Sequence, residues 1–323
     1  EWCSRHAIRV TSEITRAKLS AFRDALIAKT KLSATKGGRR GQRDATERRR
    51  SPLSVNRELR TLKTLLNAWR QAGLVQLTRD DIADALKALP VPREQATYLQ
   101  PAEIRKLLEA AERHDTAVFA ATRTEHAGLR PPGTTRRYQP IAPFTAFLLL
   151  TGCRRGEALA LTWADVDLDA LDHEGRRVGE IRLKAALTKT KQARTIGLEV
   201  SPALRAMLSA LKLAAAADEP FVFGGATPYS VDLVESARAR LLLEYGAPKF
   251  DWQSLRSTAA TFLTNAPGIF GAATVYLSAR QLGHSVAVAE RHYLGVHRGI
   301  ARDARTLENA MQVEPQVHAL TKA

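Results

Sequence analysis

The stretch IAPFTAFLLLTGCRRGEALALTWADVDLD, residues 141–169, decides the fold. Its first third is apolar on every side, which predicts a helix buried inside a domain core. Thr151-Gly152 breaks that helix, and the residues after it predict a second helix that ends at Trp163. Arg154 follows the break and Glu157 lies three residues later, at the spacing of an ion pair on one helix face. The stretch therefore predicts a buried helix followed by a turn that carries a basic residue.

The composition predicts a two-domain protein that binds a polyanion. The chain has 323 residues, enough for two domains that each bury a core. Lys and Arg total 49 against 33 Asp and Glu, so the formal net charge is +16. No apolar run approaches the ~20 residues that span a bilayer, and the first residues lack the apolar core of a signal peptide. We therefore expect a cytoplasmic protein without a membrane segment.

The N-terminal part predicts a helical domain. Residues 11–30 form one amphipathic helix in this prediction, and residues 51–73 form another, with apolar positions at Val55, Leu59, Leu62, Leu66 and Trp69. Residues 36–50, KGGRRGQRDATERRR, are basic and almost without apolar side chains, which predicts a loop or flexible arm. Two prolines interrupt the chain near residue 90. We predict a helical domain over 1–92, a linker over 93–98 and a second domain over 99–323.

The sequence of the second domain predicts a mostly α fold with a small antiparallel β-sheet, that is, the α+β class. Residues 99–113 predict a helix, and residues 126–140, rich in Pro, Gly and Arg, predict a surface loop. GEIRLKAALTKTKQARTIGL, residues 179–198, has two short β-type runs around a basic turn. PFVFGG, residues 220–225, indicates a short buried strand or extended piece. The remaining segments favour helices.

The residues suited to chemistry are basic side chains at helix breaks and turns, followed by one tyrosine. A metal-dependent nuclease needs clustered carboxylates and a P-loop enzyme needs GxxxxGK[ST], and the sequence shows neither pattern. The two cysteines, Cys3 and Cys153, lack metal-ligand spacing, so we expect free thiols and no metal. Phosphoryl transfer needs donors for the non-bridging oxygens, a nucleophile and an acid for the leaving oxygen. Those residue types occur in chain order as Arg154, Lys189, Arg256, His284 and Tyr293.

These segments resemble the tyrosine recombinase, or phage integrase, family. TGCRRGEALALTWADVD, residues 151–167, is similar to the family's first arginine box, with Arg154 at the arginine position and Glu157 at the associated acid. TKTKQARTIGL, residues 188–198, resembles its lysine hairpin, with Lys189 at the catalytic lysine and Arg194 as the downstream arginine.

The C-terminal and N-terminal segments extend the resemblance over most of the chain. SLR resembles the tail of the family's His-x-x-Arg box, with Arg256 as the second arginine. LGHSVAVAERHY, residues 282–293, resembles its last box, with His284 at the His/Trp position and Tyr293 at the nucleophile. VNRELRTLKTLLNAWRQAGLV, residues 55–75, is similar to the helical core-binding domain.

The resemblance implies a site-specific DNA recombinase. A core-binding domain and an integrase-type catalytic domain would close around duplex DNA as a C-shaped clamp. Arg154, Arg256 and His284 would bind the scissile phosphate, Tyr293 would form a 3′-phosphotyrosyl link, and Lys189 would protonate the leaving oxygen.

No cofactor and no metal are implied. The expected partners are double-stranded DNA with specific sites, three further copies in a homo-tetramer on two sites, and an accessory directionality factor. The expected reaction is the integration or excision of a mobile element, by a protein associated with a bacterial-type nucleoid.

Tetramer formation would use a C-terminal segment. Its expected apolar face consists of Ile300, Ala304, Leu307 and Met311. This face would dock on a neighbouring protomer, or it would fold back on its own domain.

The basic residues expected to contact DNA lie mainly in the N-terminal part. They are Arg39, Arg40, Arg43, Arg48, Arg49, Arg50, Arg57 and Arg60, together with Arg194. Such side chains add affinity by binding phosphates, and these contacts carry little information about the base sequence. The DNA sequence of the target site is therefore not predicted.

Several alternatives remain open at the level of single residues. Lys184 and Lys191 compete with Lys189 for the role of the acid, and His292 competes with His284. Gln253 occupies the position where the family usually has histidine, and glutamine can hydrogen-bond but cannot titrate. Two other functions stay open: a type IB topoisomerase, which uses a similar set of residues to relax supercoils, and a weakly catalytic DNA-binding regulator, which Gln253 alone suggests.

Overall fold

The chain folds into two compact units, which a computed structural model places at Glu1–Glu94 and Gln95–Ala323. The structure describes residues 2–34, 43–92, 97–119, 122–129, 131, 133, 135–188, 191–271, 274–293, 300–301 and 303–321. Within these residues, no helix is both long and apolar enough to cross a membrane. Tyr98, the last residue of the predicted linker, packs edge-on against Phe262 with ring centroids 6.3 Å apart, so it already belongs to the second unit.

Helices α2, α3 and α4 enclose the core of the first unit. The Thr15 hydroxyl caps α2 by accepting from the Lys18 amide at 3.3 Å, and Gly73 ends the α3 region in a left-handed conformation at φ 72°. Leu59 and Leu66 are 1% exposed, and each such side chain contributes about 2 kcal/mol by its burial. The elements of this unit are α1 (Trp2–Arg5), a 3-10 turn (Thr11–Glu13), α2 (Arg16–Ala28), β1 (Thr30–Ala34), β2 (Arg43–Arg49), α3 (Pro52–Gln71) and α4 (Arg79–Ala85).

The basic segment before α3 is partly a β-strand, which corrects the prediction of a loop or arm over 36–50. β2 pairs antiparallel with β1, in a register that joins Ala34 to Arg43 and Thr30 to Arg49. This hairpin lies at the surface, where Leu32 is 49% exposed. None of the side chains that the structure describes in this hairpin is buried. Strands at the surface need no alternation of apolar residues, so the sequence of this segment predicted a loop.

The second unit is built around the apolar helix predicted from residues 141–150. This helix, α7 (Ala142–Thr151), is buried at every position. The Asp115 carboxylate accepts from the Ile141 and Ala142 amides at 2.8 and 2.7 Å, so the buried N-terminus keeps its hydrogen bonds. The other helices of this unit are α5 (Pro101–Asp115), α6 (Arg123–His126), α8 (Arg155–Leu159), α9 (Pro202–Ala214), α10 (Val231–Leu243), α11 (Trp252–Asn265), α12 (Pro267–Phe270), α13 (Thr274–Leu282), α14 (Val286–His292), α15 (Leu307–Met311) and α16 (Glu314–Ala319).

A three-stranded antiparallel sheet accompanies these helices, in the order β3 (Val166–Asp167), β4 (Glu180–Leu183) and β5 (Arg194–Gly197). The predicted strand pair corresponds to β4 and β5, and β3 is an additional strand. The helix predicted to end at Trp163 ends at Leu159 instead, and a separate 3-10 turn spans Trp163–Asp165. Asp165 stabilises that turn by accepting from the Thr162 hydroxyl at 2.6 Å. The fold class is thus confirmed as mostly α with small antiparallel sheets.

The C-terminal apolar residues pack within the second unit of the single chain. Leu307 and Met311 are fully buried and Ala304 is 8% exposed, as the fold-back alternative expects. The Glu308 carboxylate accepts from the Ala203 amide at 3.0 Å, which fastens α15 to the start of α9. The predicted continuous face from residue 300 is shorter, because Thr306 caps the helix and α15 begins at Leu307.

Candidate active site

A left-handed turn after α7 sets the position of the first arginine. Gly152 has φ 65°, and a Cβ at this residue would lie 2.3 Å from Leu282 Cδ2. Only glycine fits both the backbone conformation and this close approach. The chain then continues to Arg154, the residue that caps α8, whose amide donates to Glu157 Oε2 at 2.9 Å. The predicted Thr-Gly break therefore delivers Arg154 to the turn.

Arg256 crosses from α11 to two other segments. Its Nη1 donates to the Gly152 carbonyl and its Nη2 donates to the Leu282 carbonyl, each at 2.6 Å. The side chain is 4% exposed. Burial, and then the positive charges of Arg154 and Arg194, lower the pKa of Arg256 to about 10, so it stays charged at neutral pH. This buried cation adjoins the turn that holds Arg154.

Glu157 binds two arginines at once. Its Oε1 accepts from Arg154 Nη1 at 2.8 Å, and its two oxygens accept from Arg194 Nη1 and Nη2 at 3.0 and 2.6 Å. Burial opposes ionisation, but the bonds from Arg194 and Arg154 outweigh it and lower the pKa of Glu157 to about 2. The three guanidinium groups and this one carboxylate leave two positive charges in excess, which suits a phosphate.

The Gly283–His284 turn places an imidazole beside the arginines. Gly283 has φ 69°, and His284 Nδ1 lies 3.1 Å from the Ser285 carbonyl oxygen. A carbonyl only accepts, so Nδ1 carries a proton and the neutral ring keeps Nε2 as an acceptor. No described residue forms a hydrogen bond with this buried Nε2. Burial lowers the pKa of His284, and the charges of Arg256 and Arg154 act in the same direction.

Tyr293 lies against His284. The two rings stack with centroids 5.6 Å apart and an angle of 29° between their planes. Tyr293 follows α14 and is 9% exposed, and its carbonyl accepts from Asn265 Nδ2 at 2.7 Å. Because Asn265 ends the helix that carries Arg256, one helix supports both residues. The structure thus brings together Arg154, Glu157, Arg194, Arg256, His284 and Tyr293.

Two solved structures are similar to this chain over most of its length. The lambda integrase, in a dimer bound to a COC′ core site, has a TM-score of 0.55 and 16% identity, covering 89% of this chain and 82% of that chain. The Tn1549 transposon integrase, in complex with circular intermediate DNA, has a TM-score of 0.51 and 14% identity, covering 89% and 83%. This chain has the integrase fold. A scan of protein-family models and a search of curated proteins gave no match.

The resemblance stated from the sequence is therefore confirmed for the fold. In this chain, hydrogen bonds and ring contacts bring together the segments with Arg154, Arg256 and Tyr293, although they are up to 139 residues apart in the sequence. Among the described residues, no three His, Cys, Asp or Glu side chains form a group that could hold a metal ion.

The lysine candidates differ in their surroundings. Lys189 lies outside the described residues. Lys184 Nζ lies 2.6 Å from Asp165 Oδ1, and Asp165 is 3% exposed, so this lysine is engaged in an ion pair. Lys191 is exposed and has φ 51°. The ion pair with Asp165 argues against Lys184 as the acid, and the choice of Lys189 over Lys191 stays a prediction.

Gln253 lies on the first turn of α11, one turn before Arg256, and is exposed. It lines a cavity of about 350 Å³ together with Arg155, Glu235 and Trp252. Arg155 and Arg238 both form ion pairs with Glu235 at this cavity. A glutamine here offers a hydrogen-bonding amide at this cavity and no titrating group.

The basic residues predicted to contact DNA fall into three groups. Arg48 and Arg49 on β2, and Arg57 and Arg60 on α3, are exposed, whereas Arg50 forms an ion pair with Glu58. Arg39 and Arg40 lie outside the described residues, and for Arg43 only the backbone, in β2, is described.

The position of Arg194 in the structure corrects the prediction that its side chain contacts DNA. Its side chain is 7% exposed, and three of its N–H groups are already bound inside the protein. No local pattern in the sequence distinguishes it from the exposed arginines, because its partner Glu157 is 37 residues away.

Proposed function

We propose that this protein is a site-specific DNA recombinase of the tyrosine recombinase family. The observation that carries the proposal is the stacking of Tyr293 on His284 at a buried guanidinium cluster, within the integrase fold. A phenol next to a strongly cationic pocket suits nucleophilic attack on a phosphodiester.

In the proposed reaction, Arg154 and Arg256 bind the non-bridging oxygens and stabilise the charge that develops on them. The Tyr293 oxygen attacks phosphorus, and the bond to the 5′ oxygen breaks, which gives a 3′-phosphotyrosyl link. His284 Nε2 accepts the phenol proton, and the resulting imidazolium donates to a phosphate oxygen. Lys189 gives a proton to the 5′ oxygen. A 5′-hydroxyl from a partner strand later reverses these steps, so the bond energy is conserved and no ATP is consumed.

DNA binding is proposed to involve both units. The exposed Arg57 and Arg60 on α3 and the basic strand β2 supply phosphate contacts from the first unit. The second unit supplies the cationic pocket. A C-shaped clamp of the two units on duplex DNA, and a tetramer on two sites that integrates or excises a mobile element, belong to the same proposal. An accessory directionality factor would select between integration and excision.

The test is covalent trapping on a selected duplex, that is, a duplex recovered from a randomised pool by its binding to this protein. The duplex is nicked at successive positions, so that cleavage releases a short fragment and religation fails. The parent protein should give an adduct that survives SDS and disappears on protease treatment, without added metal. Tyr293→Phe should give none. Tyr276→Phe is the matched control, because Tyr276 is 58% exposed on α13, and it should behave as the parent does.

Other outcomes would point to the alternatives. Binding without an adduct at any nick position would contradict the enzyme proposal and favour a DNA-binding regulator. Efficient relaxation of any supercoiled plasmid, without exchange between two selected sites, would favour a type IB topoisomerase.

A further inference from the structure

Arg194 links three segments of the second unit through one buried guanidinium. It begins β5, its Nη atoms donate to both oxygens of Glu157 on α8, and its Nε donates to the Gln281 carbonyl near the end of α13 at 3.1 Å. Only 7% of the side chain is exposed. The ion pair therefore adjoins the proposed phosphate pocket from inside the protein.

Glu157 also binds Arg154. The same carboxylate accepts from the Arg154 amide at 2.9 Å and from Arg154 Nη1 at 2.8 Å. Both oxygens of Glu157 are thus bound on one side by Arg194 and on the other by Arg154. A planar guanidinium can bind a carboxylate through two parallel hydrogen bonds, whereas a lysine ammonium has no such geometry.

The Gly283 backbone packs directly on Arg194. A Cβ at Gly283 would lie 2.9 Å from Arg194 Cδ and 3.1 Å from its Nη1, so a side chain at this residue would displace the guanidinium. The next residue is His284. Arg194 therefore contacts both the carboxylate that holds Arg154 and the turn that holds His284.

We infer that Arg194 is a positioning residue that acts through Glu157 to orient Arg154 toward the scissile phosphate, without contacting DNA. This inference rests on the proposed recombinase function. Cleavage depends steeply on placement, and a shift of about 1 Å in a catalytic group costs on the order of 100-fold in rate.

The experiment compares Arg194→Lys with the parent on three versions of the nicked selected duplex. The first has the ordinary phosphodiester. The second has a methylphosphonate at the scissile position, which removes the negative charge that Arg154 would neutralise. The third has a sulfur leaving group in place of the 5′ oxygen, which needs no protonation. Arg205→Lys is the matched control, because the described hydrogen bonds of the Arg205 side chain go to the Leu168 carbonyl and none of them goes to Glu157.

We expect Arg194→Lys to slow single-turnover cleavage of the phosphodiester about 100-fold. Cleavage of the methylphosphonate should fall no more than about threefold, because the neutral analogue makes little use of the arginine charge. The sulfur leaving group should not restore the rate. Arg205→Lys should leave the relative rates on the three duplexes unchanged.

Three results would overturn the inference. Equal losses on phosphodiester and methylphosphonate would show that Arg194 does not act through charge neutralisation. Recovery with the sulfur leaving group alone would show that it acts through the leaving-group acid. Because lysine keeps the positive charge, a direct phosphate contact is tested with Arg194→Gln, and a salt dependence of DNA binding reduced by about one counterion in that variant would show such a contact.

Two measurements keep these outcomes separate from misfolding and from failure of the recombinase proposal. If Arg194→Lys fails to fold, the double variant Arg194→Gln/Glu157→Gln removes the charge pair together and should show the same preference for the methylphosphonate duplex. If the parent gives no adduct on any duplex, the recombinase proposal itself fails, whatever the variants do.

Discussion

Replacing Gly152 with alanine tests the turn on which the proposed site depends. The residue has φ 65°, a conformation that costs a non-glycine residue about 1–2 kcal/mol. The added Cβ would also lie 2.3 Å from Leu282 Cδ2 and 3.2 Å from Ala259 Cβ, and such overpacking costs about 1–3 kcal/mol. The two effects together predict a loss of about 2–5 kcal/mol in the free energy of unfolding of the second unit.

The loss should appear in thermal unfolding followed by circular dichroism. For a unit of this size, 1 kcal/mol shifts the melting temperature by about 2–4 °C, so Gly152→Ala should lower the melting temperature by roughly 10 °C. Gly156→Ala is the matched control. Gly156 lies in α8 with open space around its Cα, so alanine there should be neutral or stabilise by up to about 1 kcal/mol.

Covalent trapping extends the test to function. The Gly152 carbonyl accepts from Arg256, so Gly152→Ala should also reduce adduct formation at temperatures where the protein is still folded. Melting temperatures for Gly152→Ala and Gly156→Ala that agree within about 2 °C would refute the reasoning about this turn.

Further predictions concern acid stability, DNA affinity and the rate of cleavage. Glu157 has a pKa of about 2 in the folded protein, below its ordinary value of 4.5, so its contribution is present above pH 4.5 and is lost as the pH falls toward 2. Urea unfolding should therefore show roughly 3 kcal/mol less acid destabilisation between pH 5 and 2 for Glu157→Gln than for the parent, and equal acid destabilisation would contradict this. Arg57→Ala should reduce the slope of log affinity against log salt by about one in fluorescence-anisotropy titrations, whereas Lys212→Ala on the outer face of α9 should not. Gln253→His should raise the single-turnover cleavage rate, because histidine can transfer a proton, and a lower rate would count against that role.

The strongest helices follow directly from apolar spacing. Val55, Leu59 and Leu66 are buried on α3 as their positions predicted, and α7 is buried along its whole length. The β1–β2 hairpin was not predicted, because its strands lie at the surface and are rich in charged residues. Such strands show no period-two pattern of apolar residues. Local composition therefore indicates an element only where that element buries one of its faces.

The site shows the same division between local and long-range information. The spacing of Arg154 and Glu157 predicted their ion pair, and the nine residues from His284 to Tyr293 span one turn and α14. The role of Arg194 depends on Glu157 and on the Gln281 carbonyl, which only the folded chain brings within hydrogen-bonding distance. Whether an arginine is buried depends on the folded chain. From the sequence alone, a basic residue in a hairpin is therefore predicted to contact DNA.

Mass spectrometry of the trapped adduct tests the central claim most directly. The adduct with the nicked selected duplex is digested with nuclease and trypsin, and cleavage after Arg291 and Arg298 should release a peptide of residues 292–298, in which Tyr293 is the one tyrosine. The account predicts that the remaining nucleotide mass lies on Tyr293 of this peptide. A nucleotide on Tyr98, Tyr138, Tyr229, Tyr245 or Tyr276 instead would contradict it.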